Sequence, residues 1–293
     1  MAVLLVCGYS YQWALSGGYV PSWATPAALT AAFGAPDAPS TDYPTYGSTD
    51  LVTYLEASMV EQRDAINVTY WSQNVGLDGV SDALLEAASQ NPYVFVRGWS
   101  TLKTTATVTV QPEYIYDSGE ADRRRTATRQ AAADALVASG ASAAVSDADK
   151  VTAIHDWIVS HATYDMGVFE AIEAGEESPR VDQSQEAYGI LVMGTAVCNG
   201  YAMAFTAMAE QAGLDSVVVT GSDSAGLTGG SHAWNKVLVD GQWLLVDATW
   251  DDPIGGTEVY NDYLMLSPRD PQLATRTTDT DWVVDGNLGA FGA

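Results

Sequence analysis

Basic residues, cysteine and histidine are scarce in this chain of 293 residues. It has 12 Lys and Arg against 37 Asp and Glu, which gives a formal net charge of -25 at pH 7. A surface of this charge repels phosphate backbones, so we do not expect nucleic acid as a partner. Cysteine is present only as Cys7 and Cys198. A disulfide framework of the kind found in small secreted domains therefore explains neither thiol.

Long apolar runs are also missing. No stretch approaches the ~20 apolar residues that a membrane-spanning helix needs, so we expect no transmembrane span. The apolar start, Met1 to Cys7, has no basic residue near it, and the first one along the chain is Arg63. A standard signal peptide begins with positive charge, so this start would be an atypical or truncated signal. Low cysteine and lysine with abundant Ser, Thr and Gly favour an extracellular or cell-surface location over the alternative, a cytoplasmic one.

Metal ligands are few as well. With three histidines and two cysteines, a zinc site is not expected. Asp247, Asp251 and Asp252 could offer oxygen atoms to calcium, but their spacing lacks the EF-hand pattern. A solvated acidic turn is the preferred interpretation of these three carboxylates. We therefore predict neither a metal nor a cofactor.

The first half of the chain divides by composition. Residues 1–48 contain five prolines among small residues, which predicts a leader or linker, largely irregular. Residues 49–118 predict a small α/β domain without a visible catalytic set. Its expected elements are helices over 50–63 and 80–90, and strands over 66–71, 93–99 and 105–110.

The second half is longer and has stronger helix signals. We predict one domain over residues 119–267 and a C-terminal extension over 268–293. An Ala-rich helix over 126–139 precedes a second helix that ends at His161. Ser146 and Asp149 form a variant capping box at the start of that second helix. We predict a surface loop over 164–184, a helix over 198–211, a strand over 216–220 and a Gly/Ser loop over 222–230.

A hairpin near the end of this domain brings two polar side chains together. Asp240-Gly241 is a strong two-residue turn signal, because both residues tolerate positive φ. If Val239 pairs with Gln242, then His232 and Asp247 lie on the same face of the sheet as diagonal neighbours. A register slip of one residue would put them on opposite faces. The pair could be a thiol-activating base with its orienting carboxylate, or a buried polar pair without chemistry.

Cys198 lies where the predicted helix over 198–211 begins. The positive end of the helix dipole would lower the pKa of a thiol at this position. The small residues that follow it, such as Gly200 and Ala202, would allow the helix to pack closely against a sheet. The alternative is that Cys198 is a small buried apolar residue, which free cysteine often is.

Three motifs of this region resemble the bacterial transglutaminase-like superfamily. They are Thr-Ala-Val-Cys198-Asn-Gly-Tyr-Ala, His232-Ala-Trp-Asn, and Trp-Leu-Leu-Val-Asp247-Ala-Thr-Trp-Asp-Asp-Pro. The match extends over residues 147–267, and its upstream part includes Tyr164-Asp165. The resemblance implies an α+β fold with a papain-like core, in which a nucleophile helix packs on an antiparallel sheet, here preceded by the small α/β domain.

The resemblance also implies roles for individual residues. Cys198 would be the nucleophile, His232 the general base and acid, and Asp247 the orienter of the imidazole. The oxyanion would be held by the backbone N–H of Cys198 and a second donor, for which Tyr188 is the candidate, either as a donor or as part of the cleft wall. Two tryptophans could also wall the site, although aromatic core packing explains them equally well: Trp234 and Trp250.

The implied activity is cysteine-dependent acyl transfer from a peptide or protein amide through a thioester. The substrate partner would be a peptide or protein, and the acceptor could be water (hydrolysis) or an amine (transglutamination). The sequence does not choose between these acceptors. The alternative is a catalytically inactive module of the same fold, used for binding or scaffolding at the cell surface. The intact set of Cys198, His232 and Asp247 favours the enzyme, because a scaffold does not need all three.

Overall fold

The computed structural model describes residues 34–224, 230–252 and 258–279. Helices and strands are mixed along the chain, as an α+β fold requires. The predicted leader lies outside the described residues up to position 33, and residues 34–49 contain no helix or strand. No helix within the described residues is both long and apolar enough to span a membrane.

The first part of the fold is a three-stranded antiparallel sheet with two helices. Its elements are α1 (Asp50–Val60), β1 (Ile66–Asn67), α2 (Thr69–Gln90), β2 (Val96–Lys103) and β3 (Val108–Tyr114), and the strand order is β1-β3-β2. The strand predicted over 66–71 is wrong after its second residue. The Asn67 side chain accepts the backbone N–H of Thr69 at 3.0 Å and turns the chain directly into α2.

The other two predicted strands of this part begin too early. The Asn91 side chain accepts the Tyr93 N–H at 2.9 Å, so Tyr93 lies in a buried turn and β2 starts later, at Val96. The predicted helix over 80–90 is the second half of α2. This helix is interrupted at Gly76, whose φ of 76° is a left-handed conformation that glycine adopts without strain.

Six helices follow: α3 (Ser118–Ala138), α4 (Asp147–His161), α5 (Met166–Glu173), α6 (Pro179–Ser184), α7 (Ala187–Leu191) and α8 (Cys198–Gln211). The capping box prediction is confirmed, because the Ser146 hydroxyl accepts the Asp149 N–H at 3.1 Å. The prediction of a loop over 164–184 is wrong. Asp165 and Ser178 cap two short helices there by accepting backbone N–H groups through their side chains.

A four-stranded antiparallel sheet supports α8. Its strands are β6 (Ser216–Asp223), β7 (Gly230–Val239), β8 (Gln242–Val246) and β9 (Arg276–Thr278), in the order β8-β7-β6-β9. The predicted strand over 216–220 is confirmed and extends to Asp223. Residues 225–229 of the predicted Gly/Ser loop lie outside the described residues. Two short strands, β4 (Thr163–Tyr164) and β5 (Thr195–Ala196), pair in parallel beside the start of α8.

The core of the second part lies between α8 and the sheet. All residues of α8 from Gly200 to Ala209 are buried, as expected for a helix with small residues on every face. Asn235 of β7 fastens the sheet to the helix, because its amide donates to the Ala202 carbonyl at 3.1 Å and to the Thr206 hydroxyl at 3.0 Å. These hydrogen bonds therefore fix the position of α8, the nucleophile helix predicted from the sequence, against the sheet.

Hydrogen bonds cross the predicted domain boundaries. The Gln90 side chain of α2 bonds both backbone groups of Val218 in β6, at 2.9 and 2.8 Å. Strand β9, from the predicted C-terminal extension, pairs with β6 of the central sheet. The domain division stays a prediction.

Candidate active site

Cys198 is the first residue of α8 and is half-buried. The close packing of the first helical turn places it. A Cβ at Gly200 would lie 2.5 Å from both the Ala196 Cβ and the Ser184 carbonyl oxygen, so only glycine fits there. The thiol therefore faces the positive end of a buried, 14-residue helix.

The hairpin register predicted from the turn is confirmed. Asp240 and Gly241 have φ of 49° and 79°, as a type I′ turn requires, and Val239 pairs with Gln242. The ladder continues to the pair Asn235 and Val246.

Just beyond the end of this ladder, the His232 and Asp247 side chains meet. His232 Nε2 donates to Asp247 Oδ2 at 2.7 Å. Two side chains that are 15 residues apart in the chain are thus brought into direct contact by a two-residue turn.

The electrostatics of His232 favour its protonated form. Its side chain is only 6% exposed, and this burial by itself lowers the pKa. The negative charge of Asp247 and its hydrogen bond with the imidazole, together with a further hydrogen bond that the imidazole donates to Cys198, outweigh the burial and raise the pKa from 6.5 to about 9. Because Nε2 is bonded to Asp247, the nitrogen left for Cys198 is Nδ1. The structure therefore brings Cys198, His232 and Asp247 together in one chain of hydrogen bonds.

Asp247 is buried and fully engaged. Its Oδ1 accepts the backbone N–H groups of Thr249 and Trp250 at 3.1 and 3.2 Å. Its Oδ2 accepts Arg276 Nη2 at 2.6 Å in addition to the imidazole. Burial raises the pKa of this carboxyl, but the positive charges of His232 and Arg276 outweigh it, so the net shift is downward. The carboxylate is thus ionised and fixed in orientation.

The hydroxyl group next to the Cys198 backbone N–H belongs to Tyr164. The Cys198 N–H donates to this hydroxyl, while burial and the nearby Cys198 and Asp247 raise the pKa of Tyr164. Tyr188 instead lies against Arg124, whose guanidinium is 4.5 Å from the ring centroid, and its role as an oxyanion donor stays a prediction. Sequence reasoning did not assign Tyr164 a role, although Tyr164-Asp165 was part of the motif match.

Trp234 and Trp250 flank the imidazole. Their ring centroids lie 5.7 and 5.4 Å from that of His232. Trp234 is buried and Trp250 is half-buried. Both indoles therefore pack beside the imidazole, and Trp234 also belongs to a small core cluster with Val219 and Leu245. The role of the two tryptophans as walls of the cleft stays a prediction.

Residues 130–248 match the family model of the transglutaminase-like superfamily. These residues form a transglutaminase-like domain. The matched range contains Cys198, His232 and Asp247, which are the residues that the structure brings together.

The transglutaminase-like domain is similar to part of two curated proteins. The kyphoscoliosis peptidase of Mus musculus is 35% identical over 136 residues, which are 42% of this chain and 19% of that protein. The kyphoscoliosis peptidase of Homo sapiens is 32% identical over 154 residues, 48% of this chain and 22% of that protein. The chain thus spans about a fifth of the length of these relatives. The crystal structure of a TGase superposes with a TM-score of 0.40 at 19% identity, covering 58% of this chain and 47% of that chain.

The acidic run after β8 is not the solvated turn that the sequence suggested. Asp247, Asp251 and Asp252 are 1%, 0% and 8% exposed, and each has its own protein partner. Asp252 accepts a short hydrogen bond from the Tyr201 hydroxyl. The reason is the hairpin, which turns this segment towards α4 and α8 rather than towards water.

Asp251 belongs to a second histidine–carboxylate pair. His155 is fully buried in α4 and bonds Asp251 Oδ2 through Nε2 at 3.0 Å and Asp156 Oδ1 through Nδ1 at 2.9 Å. Both oxygens of Asp251 also accept the Tyr263 N–H, at 3.1 and 3.0 Å. His155 thereby helps to fix the loop that begins with Asp247.

These partners leave the three carboxylates turned towards separate neighbours. Among the described residues, no group of three or more His, Cys, Asp or Glu side chains is arranged to hold a metal ion. The groups that the structure brings together at this site are a thiol, an imidazole and a carboxylate.

Proposed function

We propose that this chain is a cysteine-dependent acyl-transfer enzyme that acts on peptide or protein amides through a thioester. The observation that carries the proposal is the connected set of Cys198, His232 and Asp247. The thiol stands at a helix N-terminus, the imidazole bonds it, and the carboxylate bonds the imidazole at 2.7 Å. This is the arrangement of a thiol nucleophile with its base and orienting group.

In the first step the Cys198 thiolate attacks the carbonyl carbon of the amide. His232, protonated at Nδ1, gives this proton to the leaving amine, so a thioester forms and an amine departs. In the second step the imidazole takes a proton from water or from an incoming amine, which attacks the thioester and releases the Cys198 thiolate, so that the imidazolium and the thiolate are restored. Asp247 stays ionised throughout and holds the imidazole in the tautomer that this exchange needs.

The negative oxygen that develops on the substrate needs donors. The Cys198 backbone N–H is one, and it points to the Tyr164 hydroxyl. A carbonyl oxygen placed between them would accept hydrogen bonds from both, so Tyr164 is our candidate for the second donor beside Tyr188. Removal of one such donor in other enzymes typically costs about 10²–10³ in kcat.

Either water or an amine could accept the acyl group, because both would attack the same thioester. We place hydrolysis first, since the curated relatives are named peptidases. Transglutamination is the second branch of the same proposal.

The test is to trap the acyl-enzyme on Cys198 with a denatured protein substrate and identify the modified peptide by mass spectrometry. Release by water is then compared with release by an added primary amine. Cys198→Ala and His232→Ala should abolish trapping, whereas Cys7→Ser, the matched thiol control, should retain it. A protein whose substrate turnover is the same with and without Cys198 would contradict the proposal and favour a binding or scaffolding module.

A further inference from the structure

A guanidinium from outside the matched residues reaches the core of the proposed active site. Arg276 begins β9, beyond residues 130–248 of the family match. Its side chain is only 4% exposed. Strand β9 approaches β6 closely at Gly221, where an added Cβ would lie 2.2 Å from the Thr277 carbonyl oxygen. Glycine at this position therefore allows the strand that carries Arg276 to join the sheet.

Arg276 shares its charge between two buried carboxylates. Its Nη2 lies 2.6 Å from Asp247 Oδ2, the same oxygen that accepts His232 Nε2 at 2.7 Å. Its Nε lies 3.0 Å from Asp223 Oδ2, and Asp223 is 1% exposed. Without this cation, two buried negative charges would lie close to each other and to the imidazole, which would be costly in a low-dielectric interior.

Aromatic rings fix the orientation of the guanidinium. Its central carbon lies 4.9 Å from the ring centroid of Trp234, 4.5 Å from that of Trp250 and 5.1 Å from that of Tyr263. These are cation–π distances. Trp234 and Trp250 also flank His232, so Arg276 and the imidazole are held by one aromatic frame.

We propose that Arg276 is a positioning residue of this site: it holds the Asp247 carboxylate against His232 and offsets part of the negative charge that the imidazole meets. The inference rests on the proposed function. General acid catalysis by His232 requires that the imidazolium release its proton to the leaving amine, and an imidazolium facing uncompensated carboxylates would retain it. The opposing charge of Arg276 keeps the proton transferable.

Several ionisable groups besides Arg276 face His232 or its carboxylate partner. Each variant below replaces only the residue that is named in it and keeps the other groups. They come from α8, β4, β6 and the segments after β8: Cys198, Tyr164, Asp223, Asp247 and Tyr263.

The test measures the pKa of His232 from the NMR resonances of the imidazole in the Cys198→Ala protein. The chain has three histidines, so the spectra are simple, and His161→Asn assigns one of them. Arg276→Gln keeps a hydrogen-bonding side chain but removes the charge, and should raise the pKa of His232 by about one unit or more. Arg276→Lys keeps the charge and should leave this pKa near that of the parent. An unchanged pKa in folded Arg276→Gln would overturn the proposal, because a packing role alone changes stability and not this titration.

Asp223→Asn tests the same network if Arg276→Gln does not fold. It removes the second carboxylate, so more of the Arg276 charge acts on Asp247 and the pKa of His232 should fall. A rise or no change would count against the proposal. These titrations need no substrate, so they are independent of whether Cys198 forms a thioester. Failure of the proposed function would show as absence of the trapped acyl-enzyme, with the His232 titrations unaffected.

Discussion

Replacement of Asp247 by asparagine should move the pH range in which the thiol is activated. The side chain keeps its shape and can still accept the two backbone N–H groups of Thr249 and Trp250 through its oxygen. It loses the charge that keeps His232 protonated, while the burial of the imidazole remains. The pKa of His232, now about 9, should then fall to 6.5 or below.

The size of this effect follows from the pKa of His232. A fall from about 9 to 6.5 changes the ratio of imidazolium to imidazole by a factor of about 300, or about 3 kcal/mol. The rate of Cys198 alkylation by iodoacetamide, measured as a function of pH and located by peptide mapping, reports the imidazolium–thiolate pair. We expect its alkaline limb to move down by about two units or more in Asp247→Asn.

Asp252→Asn is the matched control for this experiment. Asp252 is another buried carboxylate of the same segment, but its partner is the Tyr201 hydroxyl and not an imidazole. Its replacement should leave the alkaline limb in place. Alkylation by Asp247→Asn with the same pH profile as the unsubstituted protein would refute the electrostatic reasoning, because it would mean that the Asp247 charge does not control His232.

Three further predictions concern stability, measured by urea unfolding. His155→Leu removes a buried imidazole from two carboxylates and should cost about 3–5 kcal/mol, whereas His161→Leu, on the exposed end of the same helix, should cost less than about 1 kcal/mol. Gly200→Ala should lower the free energy of unfolding by about 1–3 kcal/mol through overpacking, and it should also slow the alkylation of Cys198. Gly119→Ala is the control and should do neither, because the nearest atom to its added Cβ would be 3.4 Å away. Burial raises the pKa of Glu56 from 4.5 to about 8, so its protonated form contributes stability that is complete below pH 4.5 and lost as the pH rises through about 8. Glu56→Gln should remove this loss of stability at higher pH. If the free energy of unfolding depended on pH equally in the variant and in the unsubstituted protein, the prediction would be contradicted.

The contact between His232 and Asp247 could be predicted because its information is local. The turn at Asp240-Gly241 fixes which residues of β7 and β8 pair, and the strand period then fixes the faces of His232 and Asp247. The capping of α4 by Ser146 is local in the same sense. By contrast, the strand predicted over 66–71 failed where the Asn67 side chain competed with the backbone for a hydrogen bond, a choice that hydrophobic alternation does not reveal.

The sequence motifs were enough to select Cys198, His232 and Asp247 as the candidate set, since each lies in a motif whose turn or helix start acts within a few residues. Tertiary structure alone decided what surrounds them. Tyr164 reaches the Cys198 N–H because β4 pairs with β5, and Arg276 reaches Asp247 because β9 joins β6. Such contacts depend on how distant segments pack, and the residue pattern within one segment does not indicate which other segment it will contact.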